Sequence, residues 1–165
     1  MSHGCITHTL IPRGNPTDLH IFVDASTSWG IGILIGQKWD AWQTSLSWKG
    51  PFHDIGWLKG VALELLIYAL EEKGLHDAHL LIHSDNQGVI GAFNKGRSRN
   101  FEVNLSICRS TSVLSTRNIS LSLVYVESEE NPADPISCGI NGPTADRLFS
   151  TFALPEELKP FLLHV

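Results

Sequence analysis

The chain has 165 residues, and 42% of them are hydrophobic, which is enough to bury the core of one domain. Seventeen acidic against 12 basic residues give a formal net charge of −5, which argues against a protein that holds polyanions by bulk charge. The sequence has no apolar run of the roughly 18 residues that span a membrane and no secretory signal pattern, so we expect an intracellular protein, cytoplasmic or nuclear.

The cysteines give little sign of a metal centre. Cys5, Cys108 and Cys138 are far apart and form no CxxC pair, which disfavours a zinc site and excludes a disulfide framework. We therefore expect reduced thiols, as in an intracellular compartment.

The first half of the chain predicts a lead-in, three strands and a helix. Residues 1–18 lack periodicity and predict an irregular N-terminal segment. Short apolar segments joined by tight links then predict an antiparallel meander, with strands over 19–24, 30–35 and 38–46. The strongest helix pattern covers 56–74, where apolar residues occupy most of the circumference and Glu64 lies in the narrow remaining sector.

The second half alternates strands and helices. Strand patterns cover 79–84 and 119–126, and helix patterns cover 85–94 and 101–117. Asn131 and Pro132 predict a last helix, as N-cap and first helical residue. This order predicts an α/β fold in which a five-stranded mixed sheet, three antiparallel meander strands plus two parallel strands, carries helices packed on it.

The expected domain covers residues 19–139. Residues 140–165 form a C-terminal extension that packs on the domain or leads to a following one. A right-handed crossover places the fourth strand beside the first, so the carboxyl ends of these two strands lie side by side. Open α/β sheets carry their functional sites at such ends.

Four carboxylates fall where this topology could bring them together: Asp24, Glu64, Asp85 and Asp134. Clustered carboxylates cannot all stay ionised without a cation, and Mg²⁺ prefers oxygen ligands. Two such ions about 4 Å apart can hold both the attacking water and the leaving oxygen of a phosphodiester.

Each acid also has a structural explanation. Asp85 could cap the following helix, Asp134 could favour a helix N-terminus through the dipole, and Asp24 could be a turn residue. Glu64 is harder to explain in this way, because a lone carboxylate in an apolar helix is costly to bury.

The motifs around these acids resemble those of a known family. They are Phe22-Val23-Asp24-Ala25-Ser26 with Trp29-Gly30, Ala62-Leu63-Glu64-Leu65, His83-Ser84-Asp85-Asn86, and Asn131-Pro132-Ala133-Asp134-Pro135-Ile136-Ser137. In this order they resemble the ribonuclease H (RNase H) domain of retroelement reverse transcriptases, above all the fungal versions. The stretch from Val124 to Asp134 is also similar to the hepadnavirus polymerase domain.

The resemblance implies an RNase H-like fold and a two-metal nuclease that cleaves the RNA strand of RNA/DNA hybrids. It implies two Mg²⁺ ions, with Mn²⁺ as a substitute. Asp24 would bridge the metals, Asp134 would help to hold the ion that activates water, and Glu64 and Asp85 would hold the other. The partners it implies are an RNA/DNA hybrid and the reverse transcriptase polymerase domain of the same polyprotein.

Two features depart from the family pattern. Family members often carry a histidine near the last aspartate, whereas this chain has none between His83 and His164. The retroelement motif usually ends in Ser-Arg-Gly, and here the corresponding residues are Ser137-Cys138-Gly139.

Candidate nucleic-acid contacts follow the second aspartate. Residues 86–118 contain five basic residues and one acid, although the whole chain is acidic. Phosphate contact is expected of the flexible basic loop over 95–100, and a solvated surface loop is the alternative. The candidate residues of this loop are Lys95, Arg97 and Arg99; the resemblance adds Ser26, Asn86 and Gln87 as possible contacts to phosphate or ribose.

Three functions are compatible with these patterns. The first is the hybrid endonuclease, expected to be monomeric as an isolated domain. The second is a domain of the same fold with weak or lost catalysis that acts as a structural or nucleic-acid-binding module, for example a domesticated retroelement remnant. The third, a transposase or integrase, fits less well because the four acids follow the pattern of hybrid-cleaving enzymes.

Overall fold

The computed structural model describes residues 14–165, so most of the lead-in predicted over 1–18 lies outside the described part of the chain. Six strands form one mixed sheet in the order β5-β4-β1-β2-β3-β6. The strands are β1 (Thr17–Ala25), β2 (Gly30–Ile35), β3 (Lys38–Thr44), β4 (Ala78–Ser84), β5 (Ile119–Tyr125) and β6 (Leu162–His164).

The first three strands form the antiparallel meander that the sequence predicts. Gly36 adopts a left-handed conformation at φ 65° in the turn between β2 and β3, where a residue without a side chain avoids strain. Alternate residues of β1 and β2 bury their side chains in the main core, among them Ile21, Val23, Ile31 and Ile33. Alternation thus gives the sheet an apolar face for a helix to cover.

That face is covered by α1 (Ile55–Glu72). Asp54 caps the helix by accepting a hydrogen bond from the backbone N–H of Trp57 at 2.8 Å, and the chain leaves the helix at Gly74, which has φ 81°. Most residues of α1 are buried, because the helix packs against the sheet on one side and against α3 on the other. α1 is therefore the central helix of the domain.

The parallel part of the sheet follows from β4, which pairs with β1 on one side and β5 on the other. The crossover prediction that β4 lies beside β1 is confirmed. Two helices, α2 (Gln87–Lys95) and α3 (Phe101–Arg117), connect β4 to β5. The carboxyl ends of β1 and β4 are adjacent, with Val23 paired to Ser84.

A short helix, α4 (Asp134–Ser137), packs on β1, β2 and β3 beside a second, small apolar cluster. Gly32 allows this close approach, since a side-chain carbon there would lie 2.8 Å from Ile136. The helix starts two residues later than predicted, at Asp134. Asn131 Oδ1 accepts from the backbone N–H of Ala133 at 3.0 Å, and its side-chain amide donates to the carbonyl of Val23. That bond fixes the chain beside the end of β1.

The C-terminal residues add a strand that the sequence reading did not predict. β6 pairs antiparallel with β3, so the sheet has six strands rather than five. The buried carboxylate of Asp40 on β3 binds Arg147, the backbone N–H of Ser150 and His164. Only three residues long, β6 carries too weak a pattern to be recognised from sequence.

The structure also bears on membrane-spanning helices and on the cysteines. Among the residues from 14 onward, no helix is long and apolar enough to cross a membrane. Cys138 is a free, exposed thiol.

Candidate active site and nucleic-acid surface

Two of the four predicted acids meet at the carboxyl ends of the parallel strands. Asp24 lies near the end of β1, and Asp85 directly follows β4. Each carboxylate side chain is only 2% exposed. Parallel pairing of β1 with β4 brings the two together, as the strand order predicts.

A lysine that the sequence reading did not select lies between them. Lys59 Nζ is 3.0 Å from Asp24 Oδ1 and 2.7 Å from Asp85 Oδ1. Lys59 is in the second turn of α1, and its side chain is 16% exposed. Its ammonium group therefore occupies the point at which the two carboxylates converge.

Burial and charge set the protonation of this group of three. Burial raises the pKa of Asp24 from 3.8 to about 6, and Lys59 offsets only part of that effect while the neighbouring Asp85 adds to it. Burial alone would lower the pKa of Lys59, but its hydrogen bonds and charge interactions with Asp85 and Asp24 raise it above 10.5. Lys59 is thus a permanent cation at neutral pH.

Neighbouring polar groups hold the two carboxylates in place. Asp24 Oδ1 accepts from the backbone N–H of Ala25 at 2.8 Å, and its Oδ2 accepts from Ser137 Oγ at 3.3 Å. Asp85 Oδ2 accepts from Ser128 Oγ at 3.0 Å. These contacts leave each aspartate with a fixed orientation toward Lys59.

The third predicted acid is connected to this group through its backbone. Asp134 is the first residue of α4 and is half-buried. Its backbone carbonyl accepts from Ser137 Oγ at 2.8 Å, and the same hydroxyl contacts Asp24. Ser137 therefore links the backbone of Asp134 to the carboxylate of Asp24.

Glu64 lies in a different environment. Five residues beyond Lys59, it is about 140° further round the helix, which directs it toward α3. Its fully buried carboxylate binds Arg109 Nε at 2.7 Å and Nη2 at 3.0 Å. Ser106 Oγ donates to it at 2.6 Å, and Tyr68 donates its hydroxyl proton. All the strong contacts of Glu64 are to the α1–α3 interface, none to the aspartates.

This arrangement does not fit a two-metal donor set. From residue 14 to the C-terminus, no group of three or more histidines, cysteines or acids is placed to hold a metal ion. An ammonium group stands between Asp24 and Asp85, and the charge of Glu64 is matched by Arg109. A metal ligand must direct a free lone pair at the ion. Here Glu64 of α1 directs its carboxylate toward Arg109, and Lys59 of α1 presents an ammonium group, which has no lone pair.

The alternative role considered for Asp85 can be tested directly. α2 is capped by Asn86, whose Oδ1 accepts from the backbone N–H of Val89 at 2.8 Å, so Asp85 is not the N-cap. Asn86 was itself a predicted nucleic-acid contact, and its side-chain oxygen is used for the cap. Ser26 is likewise used internally, since its Oγ donates to the carbonyl of Ser137 at 2.6 Å.

The remaining predicted nucleic-acid contacts share a groove. Lys95, Arg97, Arg99 and Gln87 are exposed and line a cavity of about 760 Å³ between α2 and the basic loop over 95–100. Asn100 anchors the end of the loop by capping α3, through hydrogen bonds from the backbone N–H groups of Glu102 and Val103. Gln87 brings one end of the groove close to Asp85, because α2 starts two residues after it, whereas the basic residues lie at the opposite end of α2 and beyond it.

Other basic residues of this segment are not available to phosphate in the same way. Arg109 is bound to Glu64 and lies 3.6 Å from Glu157, and Arg117 pairs with Glu71 at 3.1 Å. Phe52 and Phe101 are exposed and stack edge to face beside the basic loop. The free positive charge of the segment is thus concentrated in the groove.

Lys59 had a sequence signal that could have identified it. It is the only basic residue within α1, between the cap at Asp54 and the C-terminal Lys73. A charge within a buried helix needs a partner of opposite sign, and the predicted cluster of carboxylates needed a cation. Only the orientation of α1 decides that Lys59, rather than Glu64, faces them.

Comparison with known proteins supports the architecture. No protein-family model matches the sequence, and no curated protein matches it. Among solved structures, the chain is similar to RNase H1 from the halophilic archaeon Halobacterium salinarum NRC-1, with a TM-score of 0.54 and 14% sequence identity. The match covers 75% of this chain and 97% of that one. At this identity the likeness is one of architecture, and the chain has the RNase H-like α/β fold.

Proposed function

We propose that this chain is an RNase H-fold domain that binds RNA/DNA hybrids and cleaves their RNA strand weakly or not at all. The observation that carries the proposal is the Asp24–Lys59–Asp85 group at the position where the fold carries its site. A lysine ammonium supplies one positive charge there and cannot bind or activate a water as a metal does. Fold and position of the acids support nucleic acid as the ligand, and Lys59 supports the loss of efficient cleavage.

The basic groove supports hybrid binding. Its cationic side chains are exposed and lie at the C-terminal end of α2 and in the loop that follows, roughly 12 Å along the helix from the end nearest Asp85. Lys95, Arg97 and Arg99 would contact the phosphates of one nucleic-acid strand while the duplex lies across the carboxyl ends of β1 and β4. The net charge of −5 restricts such binding to this local surface and predicts modest, strongly salt-dependent affinity.

The origin and context are part of the proposal. The motifs around Asp24, Asp85 and Asp134 support descent from a retroelement reverse transcriptase. We propose residues 19–139 as the ancestral domain, with residues 140–165 as an extension. A polymerase domain of the same polyprotein is the proposed protein partner, and the isolated domain is proposed to be a monomer.

A second candidate is the hybrid nuclease itself. It is favoured by three of the four acids implied by the family resemblance: Asp24 and Asp85, whose carboxylates share Lys59, and Asp134, whose backbone is linked to Asp24 through Ser137. In this case Mg²⁺ would have to be held by those aspartates after Lys59 moves away. The arrangement around Lys59 argues against it, and the same experiment separates the two candidates.

The test is binding and cleavage of a labelled RNA/DNA hybrid, with double-stranded DNA and double-stranded RNA as comparators, in Mg²⁺ and in EDTA. We expect binding of the hybrid without metal and cleavage at least about a hundredfold below that expected for a two-metal enzyme. Alanine at Lys95, Arg97 and Arg99 should shrink the slope of log affinity against log salt by about two to three.

A matched control removes the same charge elsewhere. Lys38, Lys73 and Lys159 lie outside the groove, and their replacement by alanine should leave most of the salt slope intact. Rapid Mg²⁺-dependent cleavage that Asp24→Asn abolishes would establish the nuclease instead. Equal salt slopes for the two triple variants would show that the basic loop is only a solvated surface.

A further inference from the structure

We propose that Lys59 is a built-in cation that takes the place of a divalent metal between Asp24 and Asp85, and that replacing it with glutamate creates a metal site. The proposal concerns the same site as the proposed function. Its test measures metal binding rather than nucleic acid, so either can fail without the other.

The geometry of the contacts is the first support. One ammonium nitrogen lies within 3.0 Å of a carboxylate oxygen from each of two strands. Both aspartates are 2% exposed and Lys59 is 16% exposed, so the group is largely screened from water. The nitrogen occupies the space that a cation shared by the two carboxylates would need.

Charge balance is the second support. Asp24 and Asp85 contribute two negative charges and Lys59 one positive charge, so the buried group keeps a net charge of −1 and depends on Lys59 for its compensation. Taking a buried carboxylate's only cationic partner away is strongly unfavourable. A metal could enter only by displacing an ammonium group that is covalently tethered at high local concentration.

The orientation of α1 is the third support. The residue of this helix that faces the two aspartates is Lys59, while the acid of the helix, Glu64, faces α3 and is bound by Arg109. A carboxylate at position 59 would meet Asp24 and Asp85 directly. Three carboxylates from three elements at one point form a donor set that suits Mg²⁺ or Mn²⁺.

The experiment compares Mn²⁺ binding by wild type, Lys59→Glu and Lys59→Gln, using electron paramagnetic resonance to count bound ions and thermal melting to report stabilisation. Wild type should bind no Mn²⁺ at this site at millimolar concentration and show no shift of its melting temperature. Lys59→Glu should bind about one ion at Mn²⁺ concentrations at least about tenfold below those at which wild type binds none, and it should melt higher with Mn²⁺ than with EDTA.

Two controls define the site. Lys49→Glu makes the same charge change at an exposed position over the ring of Trp48, and it should not gain an ion. Adding Asp85→Asn to Lys59→Glu should remove the gained binding. If Lys59→Glu does not fold without metal, Lys59→Gln is used instead. Its two aspartates lack a cation, so Mn²⁺ should bind between them and raise the melting temperature of this variant.

Two results would overturn the proposal. Wild-type protein that binds Mn²⁺ at this concentration and loses it in Asp24→Asn would show that the metal displaces Lys59. Folded Lys59→Glu that binds no more Mn²⁺ than Lys49→Glu would show that Lys59 is not what excludes the metal.

Discussion

Two buried aspartates of the sheet have pKa values that are shifted in opposite directions. Asp40 on β3 and Asp24 on β1 are almost completely inaccessible, at 0% and 2% exposure, and each accepts the backbone N–H of the following residue. Hydrogen bonds to Asp40, among them those from His164 and Ser150, outweigh its burial and lower its pKa to about 2. Burial raises the pKa of Asp24 to about 6, because its single cation is shared with Asp85.

The difference separates a structural carboxylate, Asp40, from a candidate functional one, Asp24. Donors from Arg147, Ser150 and His164 converge on Asp40 and fasten the C-terminal residues to β3. Asp24 has fewer donors and a second carboxylate beside it, which the fold tolerates only with a cation between them. A buried acid held at a cost to stability is a candidate functional residue, whereas one with many donors is an anchor.

The largest effect should come from breaking the anchor. We expect Asp40→Asn to lower the free energy of unfolding by about 3–5 kcal/mol, because it leaves Arg147 without its buried carboxylate. Urea unfolding at pH 7 measures this. Asp146→Asn, whose ion pair with Lys38 is 4.0 Å long and partly exposed, is the control and should cost at most about 1 kcal/mol. Similar losses in both variants would contradict the anchor role.

The free energy of unfolding should rise with pH between about 2 and 3.8 because of Asp40, and fall between about 3.8 and 6 because of Asp24. The lowered pKa of Asp40 means that its stabilisation, about 2 kcal/mol, is present above pH 3.8 and lost as the pH falls toward 2. The raised pKa of Asp24 means that the folded state binds its proton more tightly, so stability falls by up to about 3 kcal/mol as the pH rises from 3.8 to 6.

Difference curves assign each slope to its residue. Chemical unfolding of wild type, Asp24→Asn and Asp40→Asn between pH 2 and 7 gives the curves. Asp24→Asn should flatten the decline toward pH 6, and Asp40→Asn should flatten the rise above pH 2. An Asp24→Asn curve parallel to wild type between pH 4 and 6 would refute the raised pKa of Asp24.

Glu64 should behave as a second anchor. We expect Glu64→Gln to cost about 2 kcal/mol, less than a fully broken buried pair because the amide oxygen can still accept from Ser106. Urea unfolding measures the loss, and hybrid affinity should stay unchanged. A Glu64→Gln protein with unchanged stability but altered metal or hybrid binding would show that Glu64 belongs to the functional site and is not an anchor.

The smallest effect on stability should come from Asp24 itself. Asp24→Asn removes a buried charge beside Asp85, and Asn can still accept hydrogen bonds from Ala25 and Lys59. We expect a free energy of unfolding at pH 7 that is no lower than that of wild type. A loss above about 1 kcal/mol would show that the Asp24–Lys59 pair is itself a main source of stability.

Periodicity and topology predicted the fold but not every side-chain direction. The meander, the buried helix and the placement of β4 beside β1 follow from apolar spacing and crossover handedness, and they bring Asp24 and Asp85 together. Which sector of a helix faces a site cannot be read from a sequence in which nearly every residue of the helix is buried. For that reason Glu64 was selected and Lys59 was not.

The most direct measurement of the central claim is a crystal structure of the wild-type protein grown or soaked with millimolar Mn²⁺, recorded with anomalous scattering. The account predicts Lys59 Nζ within hydrogen-bonding distance of both Asp24 and Asp85 and no anomalous peak between the two carboxylates. A manganese peak between them, with Lys59 turned away, would contradict it.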